Sequence, residues 1–342
     1  MNTAAFIHGV KDIRVEPFYP LTAGNDEVTV DVASVGICGS DLHYYKDGGI
    51  GSALIKKPFV PGHEFSATLQ QDIETLGLKK GQLVAVDPAL PCHTCEWCHR
   101  GHHNLCPNVV FLGAPPNHGA LTQNIVVPAQ SIIVLPATMS ADQGAMLEPL
   151  GVSIHAVDLA KPRLMESVAV LGCGAIGLGV IQLLKNSTAC EIIAIDPQGH
   201  RAKAALSSGA HQSGDKVDAI LDMTSGMGCD LVIEATNSPN GFADAVKASK
   251  IGGRIILAGI PDGDLYAPLS AAEARRRGLT IKFSRRMGTV YPRAIKLVSQ
   301  GKVDVDSLVS HHFELQDTAE AFAMQDNETD GLIKSIVRIQ NA

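Results

Sequence analysis

One stretch of this chain leaves little freedom of fold. The apolar run SVAVLG passes directly into AIGLGVIQLLKN, which has helical periodicity, and Gly172, Gly174 and Gly177 stand at the join in the order G-x-G-x-x-G. The same alternation continues through EIIAID, HRAKAALSSG, DLVIEAT, NGFADAVKASK and RIILAGI. Strands alternating with helices predict an α/β unit built on a doubly wound parallel sheet.

The strand before the glycines and the helix that opens inside them turn a weak motif into a nucleotide fingerprint. The first glycine permits the tight turn, the second lets a pyrophosphate approach the backbone, and the third packs helix against strand. The helix N-terminus, with Ile176 in its first turn, offers free N–H groups to phosphate. Asp196 closes the second strand, IIAID, nineteen residues after Gly177. A carboxylate there accepts from ribose hydroxyls and repels a 2′-phosphate, which predicts NAD rather than NADP. Arg201 reads either as a cofactor neighbour near the adenine or as a solvated helix residue.

Before this unit, residues 1–150 are rich in short strand-like runs such as VTVDVASVGI, QLVAVDP and NIVVPAQSIIVLP, and in glycine and proline. They read as an irregular β domain. From about Ser284 the pattern changes again, through VYPRAIKLVSQGKV, SLVSHHFEL and IKSIVRI. The expected division is therefore residues 1–150 with 285–342, and a nucleotide domain over 151–284.

Cys92, Cys95, Cys98 and Cys106 are spaced C-x2-C-x2-C-x7-C. Four thiolates make a closed tetrahedral zinc site with no place for substrate, so they predict a structural lobe over about 88–110. His93, His99, His102 and His103 decorate that lobe and read as solvated loop residues. Upstream, GICGSDLHYY carries Cys38, Ser40, Asp41 and His43, and PGHEF carries His63 and Glu64. Cysteine, histidine and carboxylate suit zinc, and three protein ligands leave a fourth position open. Singly, Cys38 reads as a buried thiol, His63 as a core histidine and Glu64 as a solvated acid. Together with the cysteine lobe and the nucleotide turn they read as a catalytic metal site.

The 342 residues are 45% hydrophobic and carry a net charge of −7. That balance excludes a basic footprint for nucleic acid or an anionic membrane, which also counts against a zinc-ribbon nucleic-acid binder. No apolar run reaches membrane-spanning length. MNTAAFIHGVKDIRVEP lacks the layout of a signal peptide. Eight cysteines are an even number, but the chain is long and core-forming. Metal-bound thiolates in the reducing cytoplasm are expected rather than disulfides, with Cys173, Cys190 and Cys229 scattered in apolar or glycine-rich stretches.

GICGSDLHYY, PGHE, the four-cysteine lobe, FLGAPPNHG, EPLGVSIHA and GCGAIG with Asp196 together resemble the zinc-containing medium-chain dehydrogenases, in their sorbitol and polyol dehydrogenase branch, over essentially the full length. The resemblance implies a GroES-like β-rich catalytic domain beside a Rossmann domain, two zinc ions per chain and a homotetramer or dimer. It implies zinc ligation by Cys38, His63 and Glu64, with Glu148 reaching the metal directly or through water. Asp41 matches the carboxylate that orients the zinc histidine, and Ser40 and His43 match a proton relay. Tyr44, Phe111 and Arg286 match substrate-pocket positions, and Ala258, Gly259 and Ile260 the segment beside the nicotinamide. The implied reaction moves hydride from a secondary alcohol of a polyol or sugar acid to NAD, in a cleft between the domains.

Met287 stands where the animal sorbitol enzyme has tyrosine, and Ala114 where it is threonine-like. The cysteine lobe is intact here; within the family this chain resembles, animal sorbitol dehydrogenase commonly lacks the complete lobe and bacterial polyol and sugar-acid members keep it. Paired Arg285 and Arg286 suit a carboxylate-bearing substrate, as in L-idonate 5-dehydrogenase; Arg285 reads equally as a solvent or interface residue. The alternatives are an L-threonine 3-dehydrogenase-like enzyme, which shares the zinc layout, and a non-catalytic zinc- and nucleotide-binding protein.

Overall fold

The computed structural model describes residues 2–19, 21–187 and 191–340, so Cys190 lies outside the described residues. The chain divides into two compact units: Met1–Glu148 with Tyr291–Ser299 and Val305–Ala342, and Pro149–Val290 with Gln300–Asp304.

The first unit is built on a seven-stranded, mostly antiparallel sheet. Its central strand, Glu27–Gly36, pairs antiparallel with Glu64–Leu69, Asn124–Pro128 and Ser335–Arg338. Apolar side chains from these strands, with Phe59, Phe65, Tyr45 and Phe322, form its core. A hairpin, Asn2–Gly9 with Asp12–Phe18, is bridged to this unit through Ala4–Thr122 and Ile7–Phe59. The register places Gly36, which ends one strand, opposite Glu64, which begins the other, so Cys38 and the His63–Glu64 pair meet at one place.

The second unit holds a six-stranded parallel sheet of Ser167–Leu171, Glu191–Ile195, Gln212–Gly214, Cys229–Glu234, Ser249–Leu257 and Thr280–Phe283. Numbered along the chain within this sheet, their spatial order is 3-2-1-4-5-6. This is the doubly wound order whose crevice lies where the direction of winding reverses, between the first and fourth strands.

The observed boundaries fall at 148/149 and 290/291, against 150/151 and 284/285 from sequence. Packing explains the later exit. Met287 is buried against Gly151, where a Cβ would overlap its Sδ. Residues 300–304 belong with the second unit because Gln182 exchanges two hydrogen bonds with the Asp304 backbone, at 2.7 and 3.0 Å. Asn186 Nδ2 also donates to Lys302 O at 2.6 Å. Among the described residues no helix is long and apolar enough to cross a membrane.

Candidate metal centre and nucleotide site

Cys38 caps a helix, Gly39–Asp47, that the apolar pattern of SDLHYYKD does not announce. Its start is fixed by Asp41, whose Oδ2 accepts from Cys38 N at 2.9 Å, the back-reaching half of a capping box. Asp41 Oδ1 accepts from Gly62 N at 3.2 Å and stands 3.4 Å from His63 Nδ1. One buried carboxylate thus ties the cysteine loop to the histidine loop. It also faces Nδ1 of the ring, leaving Nε2 as the donor for a metal. Gly62 has φ +93°, and a side chain there would meet Val35 Cγ1 at 2.9 Å.

The result is a compact donor set: atoms of Cys38, His63 and Glu64 lie within 4.8 Å of one another. His63 is 4% exposed and Glu64 1%. Burial alone would lower the His63 pKa; the facing Asp41 and Cys38 outweigh it and hold the imidazole well above its ordinary value. Thiolate, imidazole and carboxylate converging in a buried place fit zinc. Glu148, outside that set, is buried beside it. Burial above all pushes it up to about 7; His63 pulls it down and Glu64 adds to the rise.

Sequence reasoning missed Lys334. It is 4% exposed, its Nζ forms an ion pair with Glu64 Oε2, and it donates to Ile37 O at 2.8 Å. Gly36 makes room, since a Cβ there would overlap Glu64 Oε2. The available signal was a lysine opening the apolar strand IKSIVRI.

Ser40 and His43 sit one turn apart on the Asp41 helix. Ser40 is half-buried, and His43 Nδ1 lies 3.1 Å from Asp47 Oδ2. Tyr44 is buried in the first unit's core, edge-on to Phe59 at 5.4 Å. The Phe111 ring lies 5.2 Å from that of His63. Arg286 has a left-handed backbone, φ +52°, and is half-buried, while Arg285 is exposed; both belong to the second unit.

The four lobe cysteines also lie with their sulfurs within 4.8 Å of one another. Cys92 and Cys106 sulfurs are 3.5 Å apart, and those of Cys95 and Cys106 3.9 Å. A tetrahedron with Zn–S bonds of 2.3 Å has edges of roughly 3.8 Å, so the group fits zinc without rearrangement. None of the described cysteines is in a disulfide.

In the second unit the three fingerprint glycines occupy three distinct environments. Gly172 has φ +86°, and a Cβ there would lie 2.7 Å from Ala235 O. A Cβ on Gly177 would overlap Gly172 O. Gly174 faces open space, with nothing within 4 Å. Turn, packing and approach are thus divided among them as a pyrophosphate site requires. Asp196 is buried; its Oδ2 accepts from Cys173 N at 2.7 Å and its Oδ1 from Gln198 N at 2.8 Å. Each oxygen keeps a lone pair for a ribose hydroxyl. Burial, helped by Asp196 and opposed by Arg201, pushes the Cys173 thiol to about 12, so Cys173 is an inert core thiol and Arg201 stands near the turn.

This pairing of a GroES-like domain and a doubly wound nucleotide domain defines a zinc-binding dehydrogenase. Residues 24–137 match the family model of the alcohol dehydrogenase GroES-like domain, and residues 175–300 that of zinc-binding dehydrogenase. The chain is 32% identical to sorbitol dehydrogenase of Bacillus subtilis, covering 93% of this chain and 92% of that one. It is 31% identical to L-idonate 5-dehydrogenase of Vitis vinifera, with 94% and 90% covered. An alcohol dehydrogenase of E. coli CFT073, solved with NADH, superposes with a TM-score of 0.88 at 25% identity over 99% of both chains. The chain belongs to the zinc-containing medium-chain dehydrogenases, in the sorbitol dehydrogenase-like branch.

Proposed function

We propose that this protein oxidises a secondary alcohol of a polyol or sugar acid, passing hydride to NAD. The observation that carries the reading is the buried Cys38–His63–Glu64 donor set in a chain that also holds the Gly172–Gly177 turn closed by Asp196. The sorbitol and L-idonate enzymes among its relatives support the substrate class, and the Asp196 carboxylate supports NAD over NADP.

Cys38, His63 and Glu64 would hold one zinc, with Glu148 beside it, and the four lobe cysteines a second. Zinc, when bound, supplies a Lewis acid that makes an alcohol easier to deprotonate, and NAD supplies the hydride acceptor. The chain does the rest. Asp41 orients His63, and Ser40 receives the substrate's hydroxyl proton and passes it toward His43 and solvent. Gly172, Gly174, Ile176 and Gly177 cradle the pyrophosphate, Asp196 and Arg201 face the adenosine, and Ala258–Gly259–Ile260 backs the nicotinamide. Tyr44 and Phe111 shape the substrate pocket. Arg286, with Arg285 beside it, suits a carboxylate. The enzyme works in the cytoplasm as a homotetramer or dimer.

NADH formation at 340 nm by the zinc-loaded protein, offered sorbitol, xylitol, L-idonate, D-gluconate, L-threonine and simple alcohols, tests this. Turnover of a polyol or sugar acid with NAD, and far less with NADP, is the expected result. Turnover confined to L-threonine would overturn the substrate class, and a preference for NADP the cofactor.

A further inference from the structure

The nucleotide unit contains a buried acid that the reading above does not use. Glu234 ends the fourth strand of the parallel sheet and is 1% exposed. Its Oε1 accepts from Thr236 N at 2.7 Å and Thr236 Oγ1 at 2.5 Å. Its Oε2 is buried with no hydrogen-bond partner of good geometry. Burial raises its pKa, against the hydrogen bonds from Thr236 and the nearby Gly259 N–H.

Two glycines are shaped around this carboxyl. A Cβ on Gly241 would lie 2.6 Å from Oε1. A Cβ on Gly259 would lie 2.8 Å from both oxygens and would overlap Thr236 O. The carboxyl is therefore wedged beneath the turns that follow the fourth and fifth strands. Those turns are also tied directly: Asp262 N donates to Asn237 O at 2.7 Å, and Asn237 Nδ2 to Asp262 Oδ2 at 3.1 Å. The Thr236 turn in its turn supports the fingerprint, since a Cβ on Gly172 would meet Thr236 Cγ2 at 2.8 Å.

In a 3-2-1-4-5-6 sheet one mononucleotide lies over the first three strands and the other over the last three. Asp196, at the end of the second strand, belongs to the adenosine half. The turns held by Glu234 belong to the nicotinamide half.

We propose that Glu234 is a positioning residue for the dinucleotide: its carboxyl sets the Thr236 and Gly259 turns at the height that receives the nicotinamide half. This rests on the dinucleotide reading above. Burying a carboxyl with one oxygen unpaired under a binding surface costs folding free energy that a plain apolar residue would not. It gains a fixed turn, because both the N–H and the hydroxyl of Thr236 are held by one atom.

The test is equilibrium binding of NADH and of AMP to the zinc-loaded protein, for the natural sequence, Glu234→Ala, Glu234→Leu and Glu234→Gln. Removing the acceptor should weaken NADH roughly ten- to thirtyfold and leave AMP within about twofold. Glu234→Leu, which fills the space but offers no acceptor, should follow Glu234→Ala, and it carries the same expectation if the alanine variant does not fold. Glu234→Gln keeps an oxygen for Thr236 and should restore NADH binding to within about threefold. Unchanged NADH affinity in both variants that lack the acceptor overturns the inference alone. So does loss of AMP in step with NADH, or failure of glutamine to restore binding. If the natural protein binds neither ligand, the dinucleotide reading falls and takes this inference with it.

Discussion

At the level of single residues, the metal centre is a problem of burying charge. Cys38, Glu64 and Asp41 bring acidic groups into a place where His63 and Lys334 are the nearby cations. Zinc, when bound, would itself offset the Cys38 thiolate and Glu64, while Asp41 faces His63 Nδ1. Without the metal, Lys334 is the fixed cation that compensates Glu64. Breaking a buried ion pair by removing one partner costs about 3–5 kcal/mol, because the other charge stays buried and alone. Lys334→Met should therefore destabilise the zinc-free protein by about that amount, and the loaded protein much less. Urea unfolding with and without zinc measures both; equal losses in the two states would show that Lys334 does not compensate Glu64. Asp41→Asn should act differently. It leaves the ligands intact but weakens the hold on His63, so zinc affinity in chelator competition should fall about 10- to 100-fold. An unchanged affinity would remove Asp41 from its role.

Among the elements, those with strong period were legible and those set by tertiary contacts were not. SVAVLG, EIIAID and RIILAGI read correctly as strands because parallel strands buried on both faces are short continuous apolar runs. The Gly39–Asp47 helix was missed because its buried face mixes Asp41 and His43 with two tyrosines, and its signals lie at its ends, the Cys38–Asp41 cap and the left-handed Gly48. Lys334 and Glu234 were invisible for a related reason: Lys334 needs Glu64, far away in sequence, and Glu234 needs Gly259 in the turn after the next strand. A third such contact gives a pH prediction. Arg254, on the fifth sheet strand, grips Glu166 with two hydrogen bonds of 2.9 and 2.7 Å and also donates to Ala160 O at 3.3 Å. The Arg254 hydrogen bond holds the Glu166 carboxyl below its ordinary value of 4.5. A depressed carboxylate stabilises the fold above its unfolded pKa and loses that contribution as pH falls through the folded one. Glu166→Gln should therefore cost about 1–2 kcal/mol near neutral pH and nothing in acid, once Glu166 is protonated in both states. Thermal melts at a series of pH values should converge below the folded pKa; a gap that stays constant with pH would mean the loss is packing.

For the molecule as a whole, the sequence and the structure place the two metal sets in the same unit but give them different tasks. The catalytic candidates are tied to strand ends and to a core; the four-cysteine lobe has little core of its own. Trp97, Leu105 and Val110 are all exposed, and the lobe's helices, Glu96–His99 and His103–Leu105, are each about one turn long. Segments that short do not hold a helical conformation without tertiary support. A zinc held by the four cysteines would supply that order, since the binding free energy of a structural zinc is folding free energy. Metal analysis should find two zinc ions per chain in the natural protein and one in Cys98→Ser. That variant should become sensitive to proteolysis within residues 88–110 while the nucleotide unit, whose hydrogen bonds lie elsewhere, keeps its affinity for AMP. If Cys98→Ser retained two zinc ions and a protease-resistant lobe, the cysteines would not be holding it. If AMP binding were lost as well, the two units would unfold as one, and the lobe would be a support for the whole chain.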